Sequence, residues 1–150
     1  NNTVNYKFRG IATSAEYADL AERYAADAEY DAGTIVRLGG DAEVTQTIFD
    51  LDNEVFGIVS TAPGFEMNSS AGTDATHPFI ALAGRVPCKV VGKIKKGQRL
   101  VSSDIMGHAR GASQLELDDY RRIIGRALES KDTDEAGTIE VVVGVKEYGG

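Results

Sequence analysis

The acidic side chains near the N-terminus are the residues of this sequence best suited to catalysis. Glu16, Asp19 and Glu22 follow one another at intervals of three. A helix would place them on one face, whereas a strand would separate them. Two carboxyl groups held together can act as proton donor and proton acceptor when burial raises the pKa of one. The spacing therefore allows an acid–base protease acting on its own chain, and the simpler alternative is a solvated helix face.

The other reactive side chains lack the neighbours that catalysis or metal binding requires. His77 and His108 have no second His, Cys or carboxylate at the spacing of a metal site. Cys88 lies in an apolar–basic strand pattern with no His near it in sequence, which predicts a small buried residue. No Walker-type phosphate loop and no Gly-x-Ser-x-Gly elbow occurs. We therefore predict no metal, no cofactor and no enzyme acting on an external substrate.

Length and composition predict one domain outside a membrane. The chain has 150 residues, 42% of them hydrophobic, and a single cysteine that cannot form an intrachain disulfide. No apolar run approaches the roughly 18–20 residues of a membrane helix, and no signal peptide opens the sequence. Because Asn1 is not a methionine, we expect a chain trimmed or excised from a longer one.

Charge is unevenly distributed along the chain, whose net charge is −7. Residues 1–75 contain 13 acids and 4 bases, whereas residues 76–150 contain 10 acids and 12 bases. The bases between positions 85 and 99 alternate along predicted strands without interleaved aromatic residues, which disfavours nucleic-acid binding. We predict instead that this basic region meets the acidic half of another copy of the chain.

The chain predicts a mainly β fold, a compact β-barrel or β-clip of nine or ten short strands with one or two short helices. The predicted strands are Thr3–Phe8, Thr34–Leu38, Glu43–Phe49, Val55–Ser60, Phe79–Ala83, Arg85–Val91, Arg99–Ser102, Ile123–Glu129 and Thr138–Val145. A capping box at Thr13–Glu16 predicts a helix running toward Tyr24, although Leu20, Glu22 and Tyr24 also alternate as in a strand. Residues 1–12 would then be a strand or connector, and residues 13–150 one β-rich domain.

Turn signals organise the rest of the chain. Gly33 and Gly97 each follow a short extended piece and precede a strand, an internal similarity that resembles the β-clip of SAF-type domains. Asp50–Asn53 predicts a hairpin between two strands, and Gln114–Arg121 predicts a short helix. Residues 61–77 are rich in small polar residues and predict the longest loop.

Several segments, taken in order, carry a resemblance to a known family. They are Ser14–Tyr24, Tyr30–Val36, Val55–Gly64, Ala81–Val90, Lys95–Ser103, Ile124–Glu129 and Gly137–Val145. Their order and spacing resemble the C-terminal domain of tailed-phage fibre and neck-appendage proteins, described as an autoproteolytic intramolecular chaperone. The similarity runs from about Ser14 to Val145, which is most of the chain.

The resemblance implies a trimeric virion domain, assembled in the host cytoplasm, whose partners are its own copies and other virion proteins. Such a domain aligns three chains so that an upstream β-rich shaft winds correctly, which lowers the entropic cost of registering long-range strands. Some members then cut themselves off with acidic side chains near the start of the domain. The matching neighbourhood here is Ser14–Glu22, with Asp19 where the family pattern has glutamate.

A set of turn, close-approach and interface residues completes the predicted framework. It consists of Gly33, Gly57, Pro63, Gly84, Arg85, Pro87, Gly97 and Gly125. Arg85 stands between apolar strand residues and should need a carboxylate partner, which we expect among the N-terminal acids of the same or a neighbouring subunit. Two other functions stay open: an acid–base autoprotease, and a capsid-decoration or receptor-binding module that uses the 61–77 loop.

Overall fold

Ten β-strands form one connected sheet in the computed structural model, which describes residues 18–144. The strands are β1 (Asp19–Arg23), β2 (Ile35–Leu38), β3 (Val44–Gln46), β4 (Val55–Ser60), β5 (Phe65–Met67), β6 (Phe79–Val90), β7 (Arg99–Ser102), β8 (Ala109–Gly111), β9 (Ile123–Ala127) and β10 (Gly137–Val143). Single 3₁₀ turns at Gln114–Glu116 and Tyr120–Arg122 replace the predicted short helix. The mainly β prediction is confirmed, while the predicted strand Thr3–Phe8 and the capping box at Thr13–Glu16 lie outside the described residues.

Five of the strands close into a barrel, in the order β10-β9-β7-β8-β6, with β10 pairing back onto β6. Alternate residues of β10 point into this barrel, and Ile139, Val141 and Val143 are buried as their spacing predicted. They pack in one core with Val86 and Cys88 of β6. The barrel interior is therefore filled with side chains.

The strand β6 joins the barrel to the remaining strands. Its residues 84–90 pair with β10, whereas its residues 79–84 pair with β1. The strand β1 pairs in turn with β5. The order β6-β4-β2-β3 continues the sheet on the other side. Two strands separated by Gly84 were predicted here, but the structure has one strand that passes through Gly84 at a φ of +96°.

A repeated unit underlies this topology. In the first unit β2 lies between β3 and β4, and in the second β7 lies between β8 and β9. Each unit starts with the same turn, in which the Thr34 N–H donates to the Asp31 carbonyl (3.3 Å) and the Gln98 N–H to the Lys95 carbonyl (2.9 Å). Gly33 and Gly97 have φ values of +89° and +88°, as the third residue of a type II turn requires.

The two units also match strand by strand. Gly33 and its successor exchange two backbone hydrogen bonds with Val59, and Gly97 and its successor exchange two with Ala127. Two residues before these partners lie Gly57 and Gly125, which hold equivalent places on β4 and β9. A Cβ at Gly57 would lie 2.7 Å from the Ala81 carbonyl oxygen, and a Cβ at Gly125 2.6 Å from that of Val142. The weak similarity in sequence is therefore a structural repeat, and it accounts for four of the predicted framework glycines.

The hairpin predicted at Asp50–Asn53 is wrong. The strands on either side of it, β3 and β4, both pair with β2, which lies between them. Residues 47–54 consequently form a crossover rather than a tight turn. The equivalent crossover of the second unit, residues 112–122, contains the two 3₁₀ turns.

Candidate functional site

The N-terminal carboxylates do not form the predicted helical pair. Residues 19–23 are a strand, so Asp19 and Glu22 lie on opposite faces and the strand alternative is confirmed. Glu16 lies outside the described residues. Glu22 accepts a hydrogen bond from the Tyr24 hydroxyl at 2.9 Å, and burial together with this bond raises the pKa of Tyr24 to about 12.

Asp19 is the most deeply buried of these acids, with 3% of its surface exposed. Its Oδ1 accepts a hydrogen bond from the Gly64 N–H at 3.3 Å, whereas Oδ2 has no partner among the described residues. Burial raises the pKa of Asp19, and the nearby Ser60 hydroxyl and Gly64 N–H, which lower it, offset this only in part. The carboxyl group therefore favours its protonated form more than an exposed aspartate does.

Replacing Asp19 by asparagine should change how stability depends on pH. A pKa raised in the folded state stabilises the protein at low pH, and that stabilisation is lost as pH rises through the folded pKa. We expect the free energy of unfolding of Asp19→Asn, relative to the unmutated protein, to increase between about pH 3 and pH 7. Urea unfolding measured across this range tests it, with Asp41→Asn at an exposed position as control. A difference that does not vary with pH would contradict the assignment.

The predicted 61–77 loop is anchored to β1 by Arg23. Its guanidinium donates to the Ser69 carbonyl (2.8 Å), to Asp74 (2.8 Å) and to the His77 carbonyl (2.7 Å). The same group lies 4.0 Å from the centre of the Phe79 ring. The loop contains β5, which the sequence did not predict, and its Pro63 is buried.

Arg85 pairs with a different partner from the one predicted. Its guanidinium lies 3.7 Å from Glu140 on the neighbouring strand β10, and not beside a described N-terminal acid. An N-terminal acid does meet the basic strand four residues further along β6, where Lys89 Nζ lies 2.5 Å from Asp31. This contact lowers the pKa of Asp31. The two halves of the charge distribution therefore touch within a single chain at this point.

Four exposed apolar side chains cluster where the crossover of the first unit meets the loop after β7. The Gly107 N–H donates to the Thr47 carbonyl (2.9 Å), and Ser102 Oγ donates to the Phe49 carbonyl (2.6 Å). These bonds hold the two segments side by side, and the segments carry four exposed residues, which we call the apolar patch: Ile48 (47% exposed), Phe49 (56%), Ile105 (49%) and Met106 (57%).

The charged side chains of Arg37 and Asp52 fix the position of the apolar patch. Arg37 lies 6.0 Å from the centre of the Phe49 ring and donates to Asp52 Oδ2 at 2.5 Å. Asp52 in turn accepts the Glu54 N–H at Oδ1 (2.8 Å) and donates its own N–H to Ser102 Oγ (2.8 Å). A network of hydrogen bonds thus fixes a surface whose outer atoms are apolar.

A second network ties both crossovers to β8. Arg110 donates two hydrogen bonds to the carboxylate of Asp50 and two to that of Glu116, at 2.8–3.0 Å. These bonds raise the pKa of Arg110 and lower that of Glu116 to about 2. Two hydrogen-bonded networks, one around Asp52 and one around Arg110, therefore fix the backbone that carries the apolar patch.

Three exposed lysines lie on the turn that starts the second unit or just before it. Lys93, Lys95 and Lys96 have no ion-pair partner within residues 18–144. We call them the lysine turn. The nearby Lys131 Nζ instead donates to the carbonyls of Gly92 and Thr133.

The remaining sites considered in the sequence have simple surroundings. Cys88 is buried, and burial raises the pKa of its thiol to about 12. His77 Nδ1 contacts Thr76 Oγ1, and His108 Nδ1 contacts the Met106 carbonyl. Across residues 18–144 we find no group of three or more His, Cys, Asp or Glu side chains placed to hold a metal ion, and no helix long and apolar enough to span a membrane.

No family model and no curated protein matches the chain. Among solved structures, the fold is similar to that of the N base of the head fibre protein gp8.5 of bacteriophage phi29, with a TM-score of 0.46 and 16% identity. That match covers 81% of this chain and 91% of the other. A likeness of this size is too low to establish a common function.

Proposed function

We propose that this chain is a virion structural domain of a phage fibre or appendage that associates with its own copies, as a trimer, and registers the chains of an upstream shaft. The observation that carries the proposal is the apolar patch. Four large apolar side chains held half-exposed by a hydrogen-bonded network are typical of a surface that another protein covers.

The sequence resemblance supports the virion role. Its segments fall on the strands and turns of the two units: Tyr30–Val36 on the first turn and β2, Lys95–Ser103 on the second turn and β7. The last two segments fall on the barrel strands β9 and β10. The segments that resemble the phage family thus form the strands and turns of the fold. A structural role depends on this framework.

The mass of the protein in solution tests the proposal. We expect residues 1–150 to elute as a trimer at micromolar concentration when light scattering is measured during gel filtration. We also expect them to trimerise a fibre-shaft segment that is monomeric alone when they are fused to its C-terminus. A monomer in both experiments would contradict a trimeric structural role.

Self-cleavage is a finer alternative, favoured by the burial and raised pKa of Asp19. Extending the chain at its N-terminus with shaft sequence and weighing the products would reveal it. A cut near the start of the chain that survives Cys88→Ala but is lost in Asp19→Ala and Glu22→Ala would support the autoprotease. An extended chain that stays intact would contradict self-cleavage and would be consistent with a purely structural role.

A binding role for the 61–77 loop, in capsid decoration or receptor recognition, is favoured by Phe65, which is 64% exposed on β5. β5 pairs only with β1 among the described strands, so one edge of it is open. Loss of attachment to capsids or cells in Phe65→Ser, with unchanged mass, would support this role over the structural one.

A further inference from the structure

We infer that the apolar patch of one copy receives the lysine turn of a second copy, in a contact that repeats around the trimer. The inference rests on the proposed function, since it names the surfaces through which the copies meet. One copy cannot make this contact with itself.

The lysine turn and the apolar patch lie at opposite ends of β7. Lys95 and Lys96 precede its first residue, Arg99, and Asp104 and Ile105 follow its last residue, Ser102. Four residues of strand span about 13 Å, which exceeds the reach of a lysine side chain doubling back along its own strand. Any contact between the two surfaces must therefore join different copies.

The chemistry of the two surfaces is complementary. Asp104 is exposed at the edge of the apolar patch, and it has no ion-pair partner among the described residues. A lysine can lay its aliphatic stem along Ile105 and Met106 while its ammonium reaches this carboxylate. The ring of Phe49 offers the same ammonium a cation–π contact. A lysine of the second copy would thus cover the apolar patch and pair with the Asp104 carboxylate in one contact.

The charge of the whole chain selects a second copy as the occupant. Several described basic side chains form an ion pair with a carboxylate of the same chain. Among them are Arg23, Arg37, Arg85, Lys89, Arg110, Arg121 and Arg122. The three lysines of the lysine turn are exposed and form no ion pair among the described residues of this acidic chain. A contact between two different surfaces is heterologous, and it closes into a ring of three when repeated about a threefold axis.

Truncating the patch should weaken self-association. We expect Phe49→Ser combined with Ile105→Ser to raise the dissociation constant of the full chain at least about tenfold, measured by sedimentation over a concentration series. Phe65→Ser, which removes an aromatic ring of similar exposure from β5, is the matched control and should associate normally. Far-ultraviolet circular dichroism checks that each variant is folded.

A charge exchange keeps the test valid if the apolar variant fails to fold. Asp104→Lys should weaken association and remove part of its salt dependence. Adding Lys95→Asp and Lys96→Asp to the same chain exchanges both surfaces and should restore association. Restoration is not expected if these residues act only in folding.

The outcomes separate this inference from the proposed function. Normal trimers in the patch variant, or dissociation in Phe65→Ser instead, would overturn the assigned surface and leave the trimer standing. No rescue by the charge exchange would overturn the pairing with the lysine turn. A monomeric unmutated chain would overturn both.

Discussion

Replacing Gly57 by valine is expected to lower the free energy of unfolding by about 3 kcal/mol. A Cβ at this position would touch Ile80 and would lie 2.7 Å from the Ala81 carbonyl oxygen, closer than real Cβ atoms approach backbone. The strands β4 and β6 would have to separate, although their pairing connects the first unit to the barrel. Urea unfolding followed by circular dichroism measures the loss.

Two further variants make this experiment specific. Gly125→Val should cost a similar amount, because the equivalent Cβ would lie 2.6 Å from the Val142 carbonyl oxygen. Gly92→Ala serves as the control, since nothing lies within 4 Å of its Cβ and only its φ of +79° opposes the substitution, at a cost of about 1 kcal/mol. Wild-type stability in Gly57→Val would contradict the close approach.

Replacing Asp52 by alanine is expected to cost about 2 kcal/mol of stability and to weaken self-association. The Asp52 side chain is 4% exposed and that of Arg37 22%, so the substitution leaves a largely desolvated guanidinium without its carboxylate. Water reaches part of Arg37, which keeps the loss below that of a fully buried pair. Without Asp52, Arg37 is no longer held against the ring of Phe49. The position of Phe49 in the apolar patch is then less well fixed.

Asparagine at the same position separates charge from hydrogen bonding. Asp52→Asn retains an oxygen for the Glu54 N–H but removes the charge, so we expect an intermediate loss of stability. Asp41→Ala, at an exposed position, is the control and should be nearly neutral. Equal unfolding free energies for the alanine, asparagine and unmutated proteins would show that the ion pair contributes nothing.

Local patterns were sufficient for the strands that alternate strongly and for the turns that need glycine. The buried face of β10 follows from the period-two spacing of Ile139, Val141 and Val143. Gly33 and Gly97 were predicted from a short similarity, and the structure assigns both the same positive φ. Such features depend on residues close in sequence, so a single chain displays them directly.

The order of the strands depends on contacts that no local pattern contains. Residues 50–53 have the composition of a tight turn, yet β2 inserts between β3 and β4 because the units are built around their central strand. β5 and β8 have three residues each, too few to show a period. The sequence does not reveal Glu140 as the partner of Arg85, because this residue of β10 becomes a neighbour of Arg85 only when the barrel closes.

The candidate site was hidden for a related reason. Ile48 and Phe49 extend the apolar pattern of a predicted strand, which favours burial, but the strand ends at Gln46 and leaves both side chains exposed. Ile105 and Met106 carry no signal in a loop of small polar residues. An exposed apolar cluster is visible only after the buried positions are known.

Gly84 brings the first and the last described strands together. Asp19 at the start of the described residues and Val143 near their end both lie opposite Gly84 in the sheet, which puts them within about 10 Å of each other. The first and the last described strands therefore meet β6 at the same residue. A side chain at Gly84, whose Cβ would lie 2.3 Å from the Ala18 carbonyl oxygen, would push the first of these strands away from that junction.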